Sequence, residues 1–438
     1  MHLETLKSFI LWVLVGISLV LSFALWSFTP DTKQLPQNAV EEGVNLGGSE
    51  QTIKDLIEPS SIIFENNNTY YGFTDPNDRK SLYQDIITSW SLYEFRTSSA
   101  SGAPSEENQV EIIFPDTIPM ELASRLFTFN DDVNMPEWGF ERLFITFNQD
   151  SNTMDVIFLS EDGEQQAMAT VNSSEKYAQL WEYLTTFEGL RQFIRVEGAE
   201  RPIYIPNNLE NTSTKSITID EISEDLMVDT VFTDPHTVQE NQVDENEIYF
   251  TDSASGIMRV YTNRRTAEFQ NPLQSSYEQM EPAALIKQSR MNINDHRGWT
   301  NEYNLMSVNT NASTNKVRYQ MYYEGYPIFG SNYSSVIEQR YRQAGLHQYN
   351  RPLFRLVNYL GEDESVELMS GSRVIDKLSN SNTYNMDNVY DIKVGYDLTY
   401  QSNVDAVTLE PAWFMDYNGS WQKIRFNNLN PQQQEGGN

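Results

Sequence analysis

The first strong pattern along the chain is an uninterrupted apolar run near the N-terminus. No charged residue occurs from Ser8 to Pro30, and the core of this stretch, Phe9 to Trp26, is almost wholly apolar. At about 1.5 Å per residue, a helix of that length spans roughly 27 Å, close to the hydrocarbon thickness of a bilayer. The pattern predicts a transmembrane helix over residues 9–28, preceded by a cytoplasmic tail, residues 1–8.

A cleaved signal peptide is the competing interpretation of this run. Ser22-Phe23-Ala24 has the small-x-small pattern that signal peptidase recognises. The cut would fall inside the apolar run, with Trp26 and Phe28 still to follow, and no polar region precedes it. We therefore favour an uncleaved anchor.

Beyond the anchor the pattern predicts a linker and a first α+β domain. Residues 29–50 are rich in polar residues, Gly and Pro without a sustained period, so order is expected from Gln51. In residues 51–205, apolar residues at helical spacing follow Asp75-Pro76-Asn77 and predict one helix with a buried face. That spacing is formed by Leu82, Ile86, Trp90 and Tyr93.

Three short runs in the same domain predict an antiparallel meander covered by a helix. Turn-forming residues separate the runs, and the helix follows over Ser174–Phe187. The predicted strands are Leu143–Phe147, Met154–Leu159 and Gln165–Val171.

Two further α+β domains are expected, over residues 206–275 and 276–430, followed by a disordered tail, residues 431–438. Helices are predicted over Asp220–Phe232 and Pro282–Asn294, each before several antiparallel strands. The long β segments of the last domain are Glu302–Asn309, Val317–Tyr323, Val336–Tyr341, Leu353–Tyr359, Ile392–Tyr400 and Leu409–Tyr417.

Composition indicates where the body lies and what it does not bind. The formal net charge is −32, from 62 acidic and 30 basic side chains, which excludes nucleic acid because phosphate binding needs clustered Lys and Arg. The chain has no Cys, which is ordinary for a domain outside the cell. Lys7 and the amino terminus, set against Glu4, precede the span, while Asp31, Lys33, Glu41 and Glu42 follow it, and this slight bias places the tail inside.

Candidate chemistry is sparse in this sequence. Thiol and soft-metal sites are excluded or disfavoured, since there is no Cys and only four His. Asp295-His296 has the order of a catalytic pair, but no Gly-x-Ser-x-Gly turn accompanies it, and His347 is expected to be structural. Carboxylate pairs such as Asp131-Asp132 and those within residues 221–225 are expected by chance among so many acids. The sequence therefore predicts no catalytic, cofactor-binding or metal-binding residue.

Several fragments, in order along nearly the whole chain, resemble the YycH (WalH) family of Gram-positive bacteria. The fragments are Glu4–Ser8, Leu25–Pro30, Val231–Pro235, Met258–Tyr261, Asn292–Trp299, Tyr326–Gly330 and Leu409–Trp413. The resemblance implies a regulatory, non-enzymatic membrane protein that works with a single-span YycI-type protein to control the sensor histidine kinase WalK (YycG) and so cell-wall metabolism. It also implies an α+β body whose C-terminal modules are YycI-like and PepSY-like, with contacts to the kinase span and to YycI.

The anchor itself carries the candidate interaction residues. Ser18 and Ser22 form a small-xxx-small pair that lets another helix approach closely, and Val15 and Trp26 complete the face.

Two alternatives remain open: a membrane-tethered wall-processing hydrolase, and a module that binds a wall fragment, lipid or peptide. A deep cleft with convergent carboxylates of raised pKa favours the enzyme, an aromatic groove favours the module, and a large apolar patch favours the regulator.

Overall fold

The structure, a computed structural model, describes residues 43–196, 201–210, 212–252, 256–272, 276–342, 345–361, 363–401 and 404–426. The predicted span 9–28, with its candidate face, and the predicted tail 431–438 lie outside these ranges. None of the helices within the described ranges is both long and apolar enough to cross a bilayer. From Val44 onward the described chain packs as one unit.

Ten described strands form the first sheet, in the order β10-β9-β2-β1-β4-β6-β7-β8-β3-β5. The strands are β1 Ser61–Asn66, β2 Thr69–Phe73, β3 Ser91–Ser99, β4 Asn108–Pro119, β5 Thr128–Phe129, β6 Gly139–Asn148, β7 Thr153–Ser160, β8 Gln165–Val171, β9 Leu190–Val196 and β10 Ile203–Pro206. All neighbours are antiparallel except β3 and β5. The predicted meander is confirmed as β6, β7 and β8.

A second sheet follows, in the order β12-β13-β14-β15-β20-β19-β17-β18-β23-β24-β11-β21, with β16 on β17, β22 on β11 and β25 on β24. Its strands are β11 Ser213–Glu221, β12 Gln239–Gln242, β13 Glu247–Thr251, β14 Ile257–Tyr261, β15 Thr266–Gln270, β16 Glu302–Asn311, β17 Thr314–Tyr323, β18 Tyr326–Phe329, β19 Val336–Arg342, β20 Gly345–Pro352, β21 Phe354–Tyr359, β22 Glu364–Ser365, β23 Val389–Tyr400, β24 Ala406–Tyr417 and β25 Ser420–Lys423. Strands from the predicted middle and C-terminal domains share this one sheet.

The helices pack on these sheets. They are α1 Ile53–Leu56, α2 Pro76–Ser81, α3 Ala123–Leu126, α4 Ser174–Thr186, α5 Glu224–Val231, α6 Pro282–Asp295 and α7 Gly371–Ser379. The Ser173 hydroxyl caps α4, which buries Leu180 and Leu184 against β1 and β7.

A Cβ on Gly371 would lie 2.3 Å from the Pro206 carbonyl oxygen, so α7 meets the edge of the first sheet where only glycine fits. The α+β class is confirmed.

The helix predicted from Asp75 to Tyr93 is wrong in its second half. After α2 the chain forms a π turn, Leu82–Ile86, and a 3-10 turn, Ile87–Ser89, and Tyr93 lies in β3. The Thr88 hydroxyl donates to the Gln84 carbonyl oxygen at 2.6 Å, a local bond that competes with regular helix. Trp90 and Leu92 are instead buried from an extended backbone, at the two-residue spacing of a strand.

The two sheets are joined by hydrogen bonds and by a packed N-terminal segment. The Asn304 amide accepts from the Glu58 backbone N–H at 3.0 Å and donates to the Glu58 carbonyl at 2.9 Å. Residues 44–50, the end of the predicted linker, run beside the loop after α6. There the Leu46 N–H donates to the His296 carbonyl at 2.9 Å, and the Ser49 N–H to the Trp299 carbonyl at 3.1 Å.

Candidate functional site: a cleft between the sheets

The anchor residues of the sequence hypothesis, Val15, Ser18, Ser22 and Trp26, lie outside the described residues. The acidic pairs have local structural roles. Asp131 accepts a hydrogen bond from the Glu94 backbone N–H at 3.3 Å, and residues 224–225 form the first turn of α5, where acids favour the helix dipole.

The two histidines considered for chemistry are fixed by neighbours. The His296 ring is 5% exposed, and its Nε2 lies 2.9 Å from the Tyr349 hydroxyl rather than beside a carboxylate. Burial, together with the nearby Arg351 cation, lowers the pKa of His296 to about 3, so the ring is neutral. His347 Nδ1 lies 2.9 Å from the Asn271 carbonyl oxygen, as expected of a structural histidine.

A cleft of about 500 Å³ opens between the first sheet and strands β16, β17 and β23–β25. We call it the inter-sheet cleft. Its volume lies within the range of ordinary small-molecule sites. The lining side chains on which the argument depends are Asp116, Glu141, Arg201, Lys316, Arg318, Tyr390, Asp391, Lys393, Asp416 and Trp421.

Register irregularities on four strands coincide with this cleft. The pairing shifts on β4 around Asp116, on β6 at Glu141, on β16 at Met306 and on β23 at Tyr390, and all four residues line the cleft. A bulge leaves a residue without a ladder partner, bends the strand and redirects its side chain, and bulges are frequent next to functional sites. The cleft is therefore built by local departures from regular pairing.

The wall contributed by the first sheet carries two carboxyl groups with raised pKa. Burial raises the pKa of Glu141 despite the Arg201 guanidinium, whose Nη1 lies 2.6 Å from Glu141 Oε2. Burial also raises the pKa of Asp116, although its carboxylate accepts from the Thr117 and Val308 backbone N–H groups at 2.8 and 2.6 Å. Both carboxyl groups are held by donors.

The wall contributed by the second sheet contains a less satisfied carboxylate. Lys393 Nζ lies 2.5 Å from Asp391 Oδ2 and 5.0 Å from the centre of the Trp421 ring. Asp416 is the direct cross-strand neighbour of Asp391. Burial, with the Asp391 charge, raises the pKa of Asp416, whose buried Oδ1 has no hydrogen-bond partner among the described residues.

Exposed apolar side chains gather at one edge of the second sheet. Val357 and Tyr359 on β21, with Leu360 directly after it, are 47%, 44% and 47% exposed. We call these three residues the edge strip. Such a strip was not signalled by the sequence, because an edge strand with one polar and one apolar face has the same alternation as a strand inside the sheet.

The fold belongs to a known structural class. The crystal structure of YycH from Bacillus subtilis matches it with a TM-score of 0.69 at 19% sequence identity, covering 87% of this chain and 99% of that chain. The fold of this protein is therefore the α+β fold of that structure.

Comparison of the sequence with family models identifies the family. The model described as the N-terminal domain of YycH protein matches residues 4–189, and the model of its C-terminal domain matches residues 200–431. The chain belongs to the YycH family, as the resemblance indicated. A relative described as the two-component system WalR/WalK regulatory protein YycH, from Bacillus subtilis (strain 168), is 24% identical over 449 residues, which cover 96% of either chain.

Proposed function

We propose that this chain is a membrane-anchored extracytoplasmic regulator that, with a YycI-type partner, modulates a WalK (YycG) sensor histidine kinase through transmembrane-helix and ectodomain contacts. Family membership along both halves of the chain carries this proposal. A relative that aligns over 96% of its own length is described as a regulatory protein of the WalR/WalK system. The chain acts by contact rather than by catalysis.

Two features of this chain support contact as its mode of action. The uncharged run from Ser8 to Pro30 supplies a span with a small-residue face, at which a kinase helix can approach closely. The edge strip exposes apolar side chains on a sheet edge, an arrangement that in soluble proteins marks association surfaces.

Co-purification from detergent tests the proposal. The full-length chain is compared with a body that begins at Gly43 rather than at Gln51, because Leu46 is buried in the described structure. We expect the full-length chain to recover the co-expressed kinase and YycI-type protein, and the body to recover much less of the kinase. Equal recovery of the kinase by both chains contradicts a role for the span, and recovery by neither contradicts the proposal.

Substitutions in the span sharpen that test. Ser18→Phe or Ser22→Phe is expected to reduce kinase recovery severalfold, because bulk at a small-xxx-small face keeps helices apart. Val20→Phe is the matched control, since at 100° per residue position 20 lies opposite both serines on a helix. Reduced recovery with Val20→Phe as well, or with none of the three, contradicts the assigned face.

One observation favours a second function, hydrolysis of a wall polymer. Asp116, Glu141 and Asp416 have raised pKa values and face one cleft, as paired carboxyl groups of glycosidases do. Backbone donors and Arg201 already occupy Asp116 and Glu141, so binding is the better use of this cleft. Incubation of the full chain with peptidoglycan decides the point: release of soluble fragments that Asp416→Asn abolishes establishes the hydrolase, and no release excludes it.

A further inference from the structure

We propose that the inter-sheet cleft binds a short peptide by both of its ends, the free ammonium at Asp416 beside Trp421 and the free carboxylate at Lys316 and Arg318. This ligand site goes beyond the regulator function and does not depend on it. The proposal depends on the charge pattern of two parts of the second-sheet side of the cleft, a first wall formed by β23–β25 and a second wall formed by β17, on the buried polar atoms they contain and on the size of the cleft that both line.

The first wall recognises a cation. Asp391 and Asp416 are direct cross-strand neighbours, so both carboxylates lie on one face of the sheet, and Trp421 pairs with Asp416 on its other side. Like charges in such positions destabilise a sheet. Lys393 pairs with Asp391, and the Gly419 backbone N–H donates to the Asp416 carboxylate, but Asp416 Oδ1 is buried without a hydrogen-bond partner among the described residues. An ammonium group would supply a donor to this oxygen and add positive charge beside the two carboxylates.

The second wall recognises an anion. Lys316, Arg318 and Arg340 surround the carboxylate of Glu338, which is 3% exposed, and cross-strand pairing puts all four side chains on one face. Arg318 and Arg340 both contact Glu338, at 3.4 and 2.9 Å, so one carboxylate is shared by several cations.

Two cationic side chains on this wall have hydrogen-bonding capacity left for an anion. Lys316 makes no ion pair within the described part of the chain, and burial lowers its pKa, which an incoming anion would reverse. Arg318 Nε is buried and forms no hydrogen bond among the described residues, and its contact there is the 3.4 Å ion pair with Glu338 Oε2. A carboxylate is the group that pairs with both an ammonium and a guanidinium.

The combination of the walls selects the class of ligand. A simple amine leaves the second wall unpaired, and a simple carboxylate leaves the first wall unpaired. A zwitterion satisfies both, and a space of about 500 Å³ accommodates more than one amino acid. The negative charge of the whole chain favours the approach of the cationic end. A short peptide with both termini free fits these requirements.

Calorimetric titration of the full-length chain in detergent micelles tests the proposal, with L-trialanine as the probe. N-acetyl-trialanine lacks the ammonium, and trialanine amide lacks the carboxylate. We expect trialanine to bind and each blocked peptide to bind at least about tenfold more weakly, as for loss of a hydrogen bond to a charged group. No binding of trialanine at millimolar concentration overturns the proposal, as does binding of a blocked peptide with equal affinity.

Variants assign each end of the peptide to its wall. Asp416→Asn is expected to weaken trialanine binding about tenfold and to remove the further effect of acetylation. Lys316→Met is likewise expected to weaken trialanine binding about tenfold and to remove the further weakening that amidation of the peptide causes. Asp132→Asn, an exposed acid in the first-sheet region, is the matched control and should bind as the unmodified chain does. Circular dichroism confirms folding of each variant, and retention of full affinity by a folded Asp416→Asn chain overturns the assignment.

Discussion

Two polar clusters in this protein differ in how completely their groups are paired. Around Arg351, which is fully buried, the guanidinium donates to the Tyr349 hydroxyl and the Thr300 hydroxyl at 3.0 Å each, and His296 contacts the same tyrosine. In the inter-sheet cleft, Asp416 Oδ1 and Arg318 Nε are instead buried without a hydrogen-bond partner in the part of the chain that the structure describes.

The difference separates a scaffold from a binding surface. A buried network whose members satisfy one another rigidifies the core and has no capacity left for a ligand. Unsatisfied buried groups are rare in folded proteins, and each calls for an explanation. In the cleft two such atoms, on Arg318 and Asp416, lie on strands paired with β16 and β23, whose register shifts there. The proposed ligand site therefore lies in the cleft, whereas the Arg351 cluster contributes to stability.

The largest expected effect follows from replacing Arg351, the centre of the cluster whose buried polar groups are paired. Arg351→Ala leaves a cavity and strands several buried hydrogen-bond partners, so we expect a loss of about 3–5 kcal/mol in the free energy of unfolding. Arg318→Ala in the cleft is the matched variant and should lose about 1 kcal/mol, since Arg340 still pairs with Glu338. Urea unfolding measures both, and equal losses would remove the distinction between the clusters.

Much of the fold could be predicted from the sequence because its strands alternate clearly. The meander β6–β8, the helix that begins at Ser174 and the helix that begins at Pro282 follow from periodicity and caps. The stretch from Leu82 to Tyr93 could not be predicted correctly. Its apolar spacing fits a helix, while the tertiary structure buries Trp90 from an extended residue after the 3-10 turn and Leu92 from a strand.

The site could not be predicted, because its signal is geometric. The pair Asp295-His296 attracted attention as a motif, yet the His296 ring contacts Tyr349, which is remote in sequence. Asp416 and Lys316 have no motif around them, and they line one cleft only after two strands far apart in sequence join the same sheet. A single-residue bulge such as Glu141 or Tyr390 leaves no mark in an alternating pattern.

The second-largest expected effect is on the pH dependence of the free energy of unfolding, through His296 in the Arg351 cluster. The pKa of His296 falls from 6.5 to about 3 on folding, so the neutral ring contributes stability that is complete above pH 6.5 and is lost as pH falls toward 3. Between pH 6.5 and 5 we expect this histidine alone to lower the free energy of unfolding by about 2 kcal/mol. His296→Gln, which keeps a partner for Tyr349, should lack that loss. Parallel stability curves for the two chains over this interval would contradict the buried neutral ring.

The smallest expected effect on the free energy of unfolding comes from Asp416 in the cleft. It is a gain in stability, whereas the preceding effects are losses. The pKa of Asp416 is raised, so its ionised form opposes folding at neutral pH, and the penalty disappears as pH falls through the raised pKa. Asp416→Asn should therefore increase the free energy of unfolding at neutral pH, by only a few tenths of a kcal/mol because solvent screens this partly exposed group.

Asp391→Asn is the matched control for Asp416→Asn, and it should destabilise the chain by about 1 kcal/mol because Lys393 loses its 2.5 Å partner. Urea unfolding at neutral and acidic pH measures both variants. Destabilisation by Asp416→Asn would mean that this carboxylate is a structural group, and the contrast between the two clusters would fail. A gain in stability together with weaker trialanine binding would show that the chain retains an unfavourable charge at the site where it binds its ligand.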